Sequence, residues 1–355
     1  MIGFWRGLWL IASIELRQRV RGVAWYVLLG VFVLLLLIVT VLLGITFALT
    51  DSAAAEAGVA DDSSSAGPAI FSTIIYFALL LGTLVAPALS GNAINGDRDS
   101  GTLATTQVTL ITTAQLVLGK FLAAWLTALA FLGVAVPFLL VAQILGGVPG
   151  STIGVSILVL AAELGIVSAI GVGLSGIIRR PLFSVVVTYL IVAALSVGTL
   201  IGFSLGGIVL QTRVNVPASS YDDGSGTCQV EAGYTMSAPG FDKVWWMLAA
   251  NPYVVLADAV PTHFNGNEPD DLFGFIKVGV RSAQLPIDPA SYSYDDCGTP
   301  RNNDRPTSRD IIDRTVPSWF VGLLLQLVVA AALLLGATRL TRAPSGRLAA
   351  GSRIA

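Results

Sequence analysis

Long uncharged apolar stretches alternate with polar segments along this chain. Five stretches are nearly free of charge and exceed the roughly 20 residues that a helix needs to cross a bilayer. They are Val23–Leu49, Ala69–Gly91, Phe121–Gly146, Leu182–Leu210 and Val316–Thr338. A sixth stretch, Ser151–Ile178, contains one acid, Glu163. The pattern predicts six transmembrane helices, and the stretches that begin at Ser151 and Leu182 are long enough to require a tilt, a kink or a protrusion.

The composition excludes a soluble protein. Hydrophobic residues make up 54% of the 355 residues and charged residues only 12%, whereas a soluble domain carries about a quarter charged residues. Most of the chain therefore does not face water. We expect an all-α polytopic membrane protein that contacts the lipid bilayer.

The basic residues of the short connecting segments predict the orientation. Twelve of them lie in the N-terminal tail, the second and fourth loops and the C-terminal tail, whereas the first loop (Thr50–Pro68) and the third loop (Gly147–Gly150) contain none. The twelve are Arg6, Arg17, Arg19, Arg21, Arg98, Lys120, Arg179, Arg180, Arg339, Arg342, Arg347 and Arg353. Because Lys and Arg accumulate in cytoplasmic loops, both termini are predicted to be cytoplasmic.

The fifth loop, Gln211–Thr315, is then an extracytoplasmic domain. It contains both cysteines, Cys228 and Cys297, which we expect to form a disulfide on the oxidising side of the membrane, with two free thiols as the alternative. The pairs of aspartates in the loop lack the spacing of a calcium-binding loop, so no metal site is predicted. The predicted organisation is an elbow helix (1–22), spans one to five (23–210, with loop 92–120), the loop domain (211–315), span six (316–338) and a cytoplasmic tail (339–355).

Glu163 is the one ionisable residue in the middle of a predicted span. Such residues are costly in lipid and often functional. Gln143 and Gln326 are candidate partners on other spans, and a water-filled cavity is the alternative environment. A structural and a functional role both stay open.

The N-terminal segment predicts an amphipathic helix in the membrane interface. Phe4, Trp5, Leu8, Trp9 and Ala12 share one helical face, and a cluster of arginines follows. The segment is either a short membrane anchor or an elbow helix that clamps a neighbouring element.

The second loop, Asn92–Lys120, begins with a charged turn. The apolar and polar residues that follow are not hydrophobic enough as a group to cross the membrane. A short amphipathic helix with charged neighbours is suited to docking in a groove on a partner. A plain solvated connector, with a helix that starts at Ser100 or Thr102, is the alternative.

Several segments together resemble ABC type-2 permeases. They are Asp97-Arg98-Asp99-Ser100-Gly101-Thr102-Leu103, Leu118-Gly119-Lys120, Glu15-Leu16-Arg17 and Trp245-Trp246-Met247-Leu248-Ala249-Ala250-Asn251-Pro252-Tyr253. Their order and the six-span topology match the family over most of the chain outside the long loop. Many relatives carry a proline where this chain has Leu110–Thr113, so the shape of the loop is less well defined by the resemblance.

The resemblance implies that the second loop holds a cytoplasmic coupling helix that contacts an ABC ATP-binding subunit. The contact residues would be Asp97, Arg98, Asp99, Gly101, Thr102 and Leu103. The chain has no G-x-x-x-x-G-K-[ST] motif, so ATP and Mg would bind to that partner and this chain would not be an enzyme. The further implied partner is a second permease copy or a paralogue in a bacterial plasma membrane, and no nucleic acid is expected.

The function that these patterns favour is export of an amphipathic or lipidic compound, an antibiotic or a peptide. Secondary transport is an alternative, although one intramembrane Glu and no visible inverted repeat argue against it. A sensor that signals through the spans without moving cargo is another. A membrane enzyme is disfavoured because the chain lacks HExxH and G-x-S-x-G motifs and has a single histidine, His263.

Overall fold

The membrane-spanning pattern of the sequence is confirmed by the fold. The computed structural model describes residues 3–56, 66–101, 111–222, 227–289, 294–295 and 306–341. Within these residues, six helical segments are long and apolar enough to cross a membrane. They are α2 (Val23–Glu56), α3 (Ala66–Ser90), α5 (Thr113–Gly146), α6 (Gly150–Ile177), the segment that contains α7 (Pro181–Ala193) and α8 (Thr199–Val209), and α13 (Trp319–Leu340). Two helices precede or connect them, α1 (Phe4–Arg21) and the short α4 (Asn95–Asp99).

Helix α5 begins at Thr113, well before the predicted start at Phe121. The Thr112 side chain accepts a hydrogen bond from the Gln115 backbone N–H, and the Gln115 side chain accepts one from the Thr112 backbone N–H. This capping box satisfies two free donors at the start of the helix. The prediction was wrong here because hydropathy does not register a first turn made of polar residues, and Lys120 consequently lies inside the helix.

The fifth span contains a π-helical segment, Ala194–Gly198, between α7 and α8. A π-turn inserts an extra residue into an α-helix and bends it. This irregularity lies in one of the two stretches whose length predicted a kink, a tilt or a protrusion.

The chain divides into two compact units. The helical unit comprises Met1–Ala194, Ala259–Pro261 and Leu323–Ala355, and the loop unit comprises Leu195–Asp258 and Thr262–Gly322. Helix α6 is the centre of the helical unit, since every residue from Glu163 to Gly176 is buried. Glycines allow its neighbours to approach closely: a Cβ at Gly173 would lie 2.7 Å from Leu333 Cβ, and one at Gly176 would lie 2.5 Å from Ala337 Cβ.

The loop unit contains a β-sheet, so the predicted all-α fold holds for the spans and not for this unit. Strands β1 (Thr212–Asp222) and β2 (Thr227–Ala238) form an antiparallel hairpin, and β5 (Tyr294–Asp295) pairs in parallel with β1. Val214 and Val216 are buried, whereas Arg213 and Asn215, which alternate with them, are exposed. This alternation is the strand pattern that the sequence analysis missed.

Short helices complete the loop unit. They are α9 (Trp246–Ala249), α10 (Pro252–Ala259), α11 (Leu272–Ser282) and α12 (Ser308–Arg314), together with a 3-10 turn (Phe241–Lys243) and the two-stranded sheet of β3 (Phe264–Asn265) and β4 (Glu268–Pro269). Asp258 of α10 is buried and accepts a hydrogen bond from Arg281 Nε at 2.6 Å. Its second oxygen accepts from the backbone N–H groups of Ser318 (2.5 Å) and Trp319 (3.0 Å). One carboxylate therefore joins α10, α11 and the start of α13.

Candidate functional site

A buried lysine lies in the first turns of α5, at the end of the helical unit where α3 ends. The Lys120 side chain is 2% exposed, and its ammonium donates to Glu15 of α1 and to Asp97 of α4 at 2.8 Å. A buried ammonium is tolerated only when opposite charges or acceptors surround it. Lys120 therefore joins α1, α4 and α5 at a single point, which we call the Lys120 cluster (Glu15, Asp97 and Lys120).

Arg19 extends this connection to α3. Its guanidinium lies 3.9 Å from the Glu15 carboxylate and donates to Leu89 O and to Thr127 Oγ1, each at 3.3 Å. Burial lowers the pKa of Arg19 from its usual value, and the Glu15 carboxylate opposes the shift. Helix α1 is thus attached by charged side chains to both α3 and α5.

Helix α1 also packs tightly on α5 through small and aliphatic residues. Leu8, Ile11 and Ala12 are buried, and a Cβ at Gly119 would lie only 2.8 Å from Ile11 Cβ. Gln115 Nε2 donates to Phe4 O at 3.1 Å. This packing fits the clamping interpretation of the elbow helix.

The aromatic residues of α1 do not share its buried face. Trp5 is 77% exposed and Trp9 is 57% exposed, whereas Leu8 and Ala12 are buried. The sequence pattern predicts that all of them share one face, whereas the structure divides them between a packed side and an exposed aromatic side. Exposed tryptophans are typical of the membrane interface.

The short helix α4 is fixed to the end of α6. Ser175 Oγ accepts hydrogen bonds from the backbone N–H groups of Ile94 (2.9 Å) and Asn95 (3.1 Å), and Asn95 Nδ2 donates to Ile178 O at 2.7 Å. Arg98 donates to Asn95 Oδ1 and to Gly176 O, both at 2.9 Å. The charged turn is therefore a rigid extension of the bundle over these residues.

The predicted contact residues fall into two groups. Asp97 and Arg98 are half-buried and bonded within the chain, whereas Asp99 and Gly101 are exposed. Gly101 has a φ of +72°, and a Cβ there would meet nothing within 4 Å. Thr102 and Leu103 lie outside the described residues, as does the rest of the loop up to residue 110.

Sequence reasoning missed the pairing that defines the Lys120 cluster. Glu15, Asp97 and Lys120 each belong to a segment that carries the family resemblance, but nothing in the local spacing indicates that they meet. The available signal was a lone lysine in an apolar stretch, because such a side chain requires acidic partners.

Glu163 lies in the buried centre of α6, with a side chain in hydrogen-bonding contact with Gln326 of α13. The structure thus joins Glu163 to one of its two predicted partners. Gln143 Oε1 is also buried, and among the described residues it has no hydrogen-bond partner. Both the Glu163 and Gln326 side chains are at most 1% exposed, which places this polar contact inside the helical unit.

Two further predictions concern a disulfide and metal binding. The side chains of Cys228 and Cys297 lie outside the part of the chain that the structure describes, so the disulfide stays a prediction. Among the described residues, no group of three or more His, Cys, Asp and Glu side chains could hold a metal ion.

These features define a multi-pass α-helical membrane protein with a charged connection anchored at one end of its helical unit. The model of the family described as "ABC-2 family transporter protein" matches residues 9–230, from α1 into β2. The chain belongs to this family of membrane transport components. Among curated proteins, none matches the chain significantly.

Proposed function

We propose that this chain is the permease subunit of an ATP-driven ABC exporter in a bacterial plasma membrane. Two permease copies, or this chain and a paralogue, associate and bind separate ATP-binding subunits that hold ATP and Mg. Both termini and the α3–α5 connection face the cytoplasm, and the loop unit faces outward. The apolar spans suit an amphipathic or lipidic cargo, such as an antibiotic or a peptide.

The anchored α3–α5 connection carries this proposal. A docking element transmits movement only if it is attached rigidly to the helices that must move. Lys120 and Arg98 attach α4 to α1, α5 and α6, while Asp99 and Gly101 next to them stay exposed. In this proposal, the inner residues Asp97 and Arg98 hold the coupling element. The exposed Asp99 and Gly101, together with Thr102 and Leu103, which follow them in the sequence, contact the ATP-binding subunit.

Co-purification from mild detergent tests the partner. We expect the tagged chain to retain an ATPase of nucleotide-binding-domain size, and Asp99→Lys to release it without lowering the thermal stability of the permease. Glu56→Lys is the matched control, because it reverses an exposed acid at the far end of α2. A single chain without an ATPase would contradict the proposal, and so would transport that persists without ATP.

A further inference from the structure

A cavity of about 370 Å³ lies within the loop unit. Its walls come from the end of the fifth span, the turn after β2, and the end of α11 with the segment that follows it. The lining residues include Phe203, Phe241, Asp242, Gly279, Ile287 and Asp288. The volume is within the usual range for small-molecule sites, roughly 300–1,000 Å³.

The apolar wall of this cavity is fixed in place. The rings of Phe203 and Phe241 lie 5.0 Å apart and are tilted by 31°. Phe203 also packs against the core of Leu248, Val254 and Val280, while Ile287 packs against the buried face of the sheet. An aromatic surface held in this way does not have to be ordered by a ligand, which lowers the cost of binding.

The polar side of the cavity is acidic. Asp242 and Asp288 are the charged residues among its described lining residues, which include no Lys or Arg. Asp242 Oδ1 is buried and has no hydrogen-bond partner among the described residues. No salt bridge joins Asp242 to a described Lys or Arg, so its carboxylate contributes a negative charge to the cavity wall that a cationic ligand would offset.

The basic residues nearest in sequence bond elsewhere. The Lys243 ammonium donates to Gln211 O at 3.5 Å, and the Arg281 guanidinium is paired with Asp258 at 2.6 Å. Neither cation therefore forms a salt bridge with Asp242. Aromatic faces attract organic cations, and the attraction strengthens when water is excluded.

We propose that this cavity binds an organic cation with a flat apolar body. The ring system would lie against Phe203 and Phe241, and the cationic group would lie next to Asp242. Binding is a property of the loop unit, so the inference does not rest on the proposed transport function. It can be measured on the permease without an ATP-binding subunit.

N-Methylacridinium and N-methylacridone are suitable probes, because both are fluorescent and of nearly the same shape but only the first carries a positive charge. We expect the detergent-solubilised chain to bind the cation saturably and at least about tenfold more tightly than the neutral probe, as expected for a charge next to a buried carboxylate. Equal affinity for the two probes, or no saturable binding of the cation, would overturn the proposal.

Two variants test separately where the probes bind and whether the Asp242 charge favours the cation. Gly279→Leu adds a side chain to the cavity wall at a position where a Cβ meets nothing within 4 Å, and it should abolish binding of both probes. Asp242→Asn should weaken binding of the cation about tenfold and leave binding of the neutral probe unchanged.

Matched controls exist for both variants. Gly133→Leu also adds a side chain where a Cβ meets nothing within 4 Å, and Asp313→Asn removes one exposed negative charge from the same unit. Both controls should retain the affinity of the unmodified chain. Unchanged binding in Gly279→Leu would place the probe elsewhere, and this result holds even if Asp242→Asn does not fold.

Discussion

At the scale of single residues, the Lys120 cluster shows how three segments far apart in sequence become one structure. Burying an ammonium costs several kcal/mol unless paired charges compensate for it. Lys120 has two carboxylate partners, on α1 and α4, so its side chain is stable only when both helices are in place. The cluster therefore makes the position of the charged connection depend on the fold of the bundle.

Replacing Lys120 tests this dependence. Lys120→Met removes the cation that the Glu15 and Asp97 carboxylates share and leaves Arg19 at 3.9 Å from Glu15. We expect a loss of about 3–5 kcal/mol in unfolding free energy. Denaturant unfolding of the detergent-solubilised chain measures it. Lys243→Met removes an exposed lysine and should change stability by less than about 0.5 kcal/mol; equal effects of the two variants would refute the structural role of Lys120.

Asp271 and Lys277 in the loop unit predict an unusual pH dependence. Burial raises the pKa of Asp271 from 3.8 to about 6 and lowers the pKa of Lys277 from 10.5 to about 8. Between pH 3.8 and about 6 the folded state binds more protons than the unfolded state, so stability falls as pH rises. Between about pH 8 and 10.5 the unfolded state binds more protons, so stability rises with pH.

The contribution of these two groups to stability is therefore lowest between about pH 6 and about pH 8. Since one pKa unit corresponds to about 1.4 kcal/mol, the unfolding free energy changes by at most on the order of 3 kcal/mol over each of the two pH ranges. Asp271→Asn should flatten the acidic slope and retain the cap on Gly274 N–H, and Lys277→Met should flatten the basic slope. Thermal unfolding of the three proteins across pH measures the effect, and parallel profiles would contradict it.

At the scale of elements, Asn251 accounts for the irregular fifth span. Asn251 Nδ2 donates to Ser196 O of the π-segment at 2.6 Å and to Thr199 Oγ1 at 2.9 Å, and its Oδ1 accepts from Tyr253 N–H at 2.9 Å. A π-turn leaves backbone groups without their usual partners, and this buried side chain supplies one. The Trp245–Tyr253 segment that resembles the family thus has a structural role around Asn251.

Asn251→Leu should destabilise the π-segment. It removes the hydrogen bonds that Asn251 makes with the Ser196 carbonyl and with the Tyr253 N–H, at about 1–3 kcal/mol for each bond lost. Hydrogen exchange at residues 194–199 should accelerate, and the unfolding midpoint should fall. The control Asn215→Leu replaces an exposed asparagine of β1 and should leave exchange in the π-segment unchanged.

The sequence predicts the helices better than their connections, for a physical reason. Bilayer crossing requires long apolar runs, so α2, α3 and α6 follow directly from hydropathy. The start of α5 was missed because a capping box on Thr112 extends the helix through polar residues. The sheet of the loop unit was missed because β1 alternates over only a few buried positions in a polar segment.

At the candidate site, the sequence predicts residues but not their partners. The charged run around Asp97 was recognisable by resemblance, whereas its division into the inner Asp97 and Arg98 and the outer Asp99 was not. That division depends on contacts of Asp97 with Lys120 and of Arg98 with Gly176. Such long-range pairings follow from packing and are not encoded in local periodicity.

At the scale of the whole molecule, the proposed function requires that closure of the ATP-binding subunits moves the spans. We propose that this movement is transmitted from the exposed end of α4 through the Lys120 cluster to α1 and α5. Arg98 connects α4 to α6 as well. Gly101 is the described residue at the outer end of this path. Its φ of +72° lies in the left-handed region, which costs an L-residue about 1–2 kcal/mol and which proline cannot adopt.

Gly101→Pro should therefore uncouple ATP hydrolysis from transport in the reconstituted complex. A Cβ at Gly101 would meet nothing within 4 Å, whereas proline removes the N–H that donates to Arg98 O at 3.1 Å. The variant therefore changes the backbone direction after α4 without adding a Cβ clash. Gly266→Pro is a close control, because Gly266 has a φ of +64° and equally open surroundings in the loop unit. We expect Gly101→Pro to lose substrate-stimulated ATP hydrolysis and transport. Both proline variants should lose a similar amount of stability, on the order of 2 kcal/mol, and Gly266→Pro should retain both activities. Full stimulated hydrolysis and transport in Gly101→Pro would show that this connection is not the coupling element, whatever partner co-purifies with the chain.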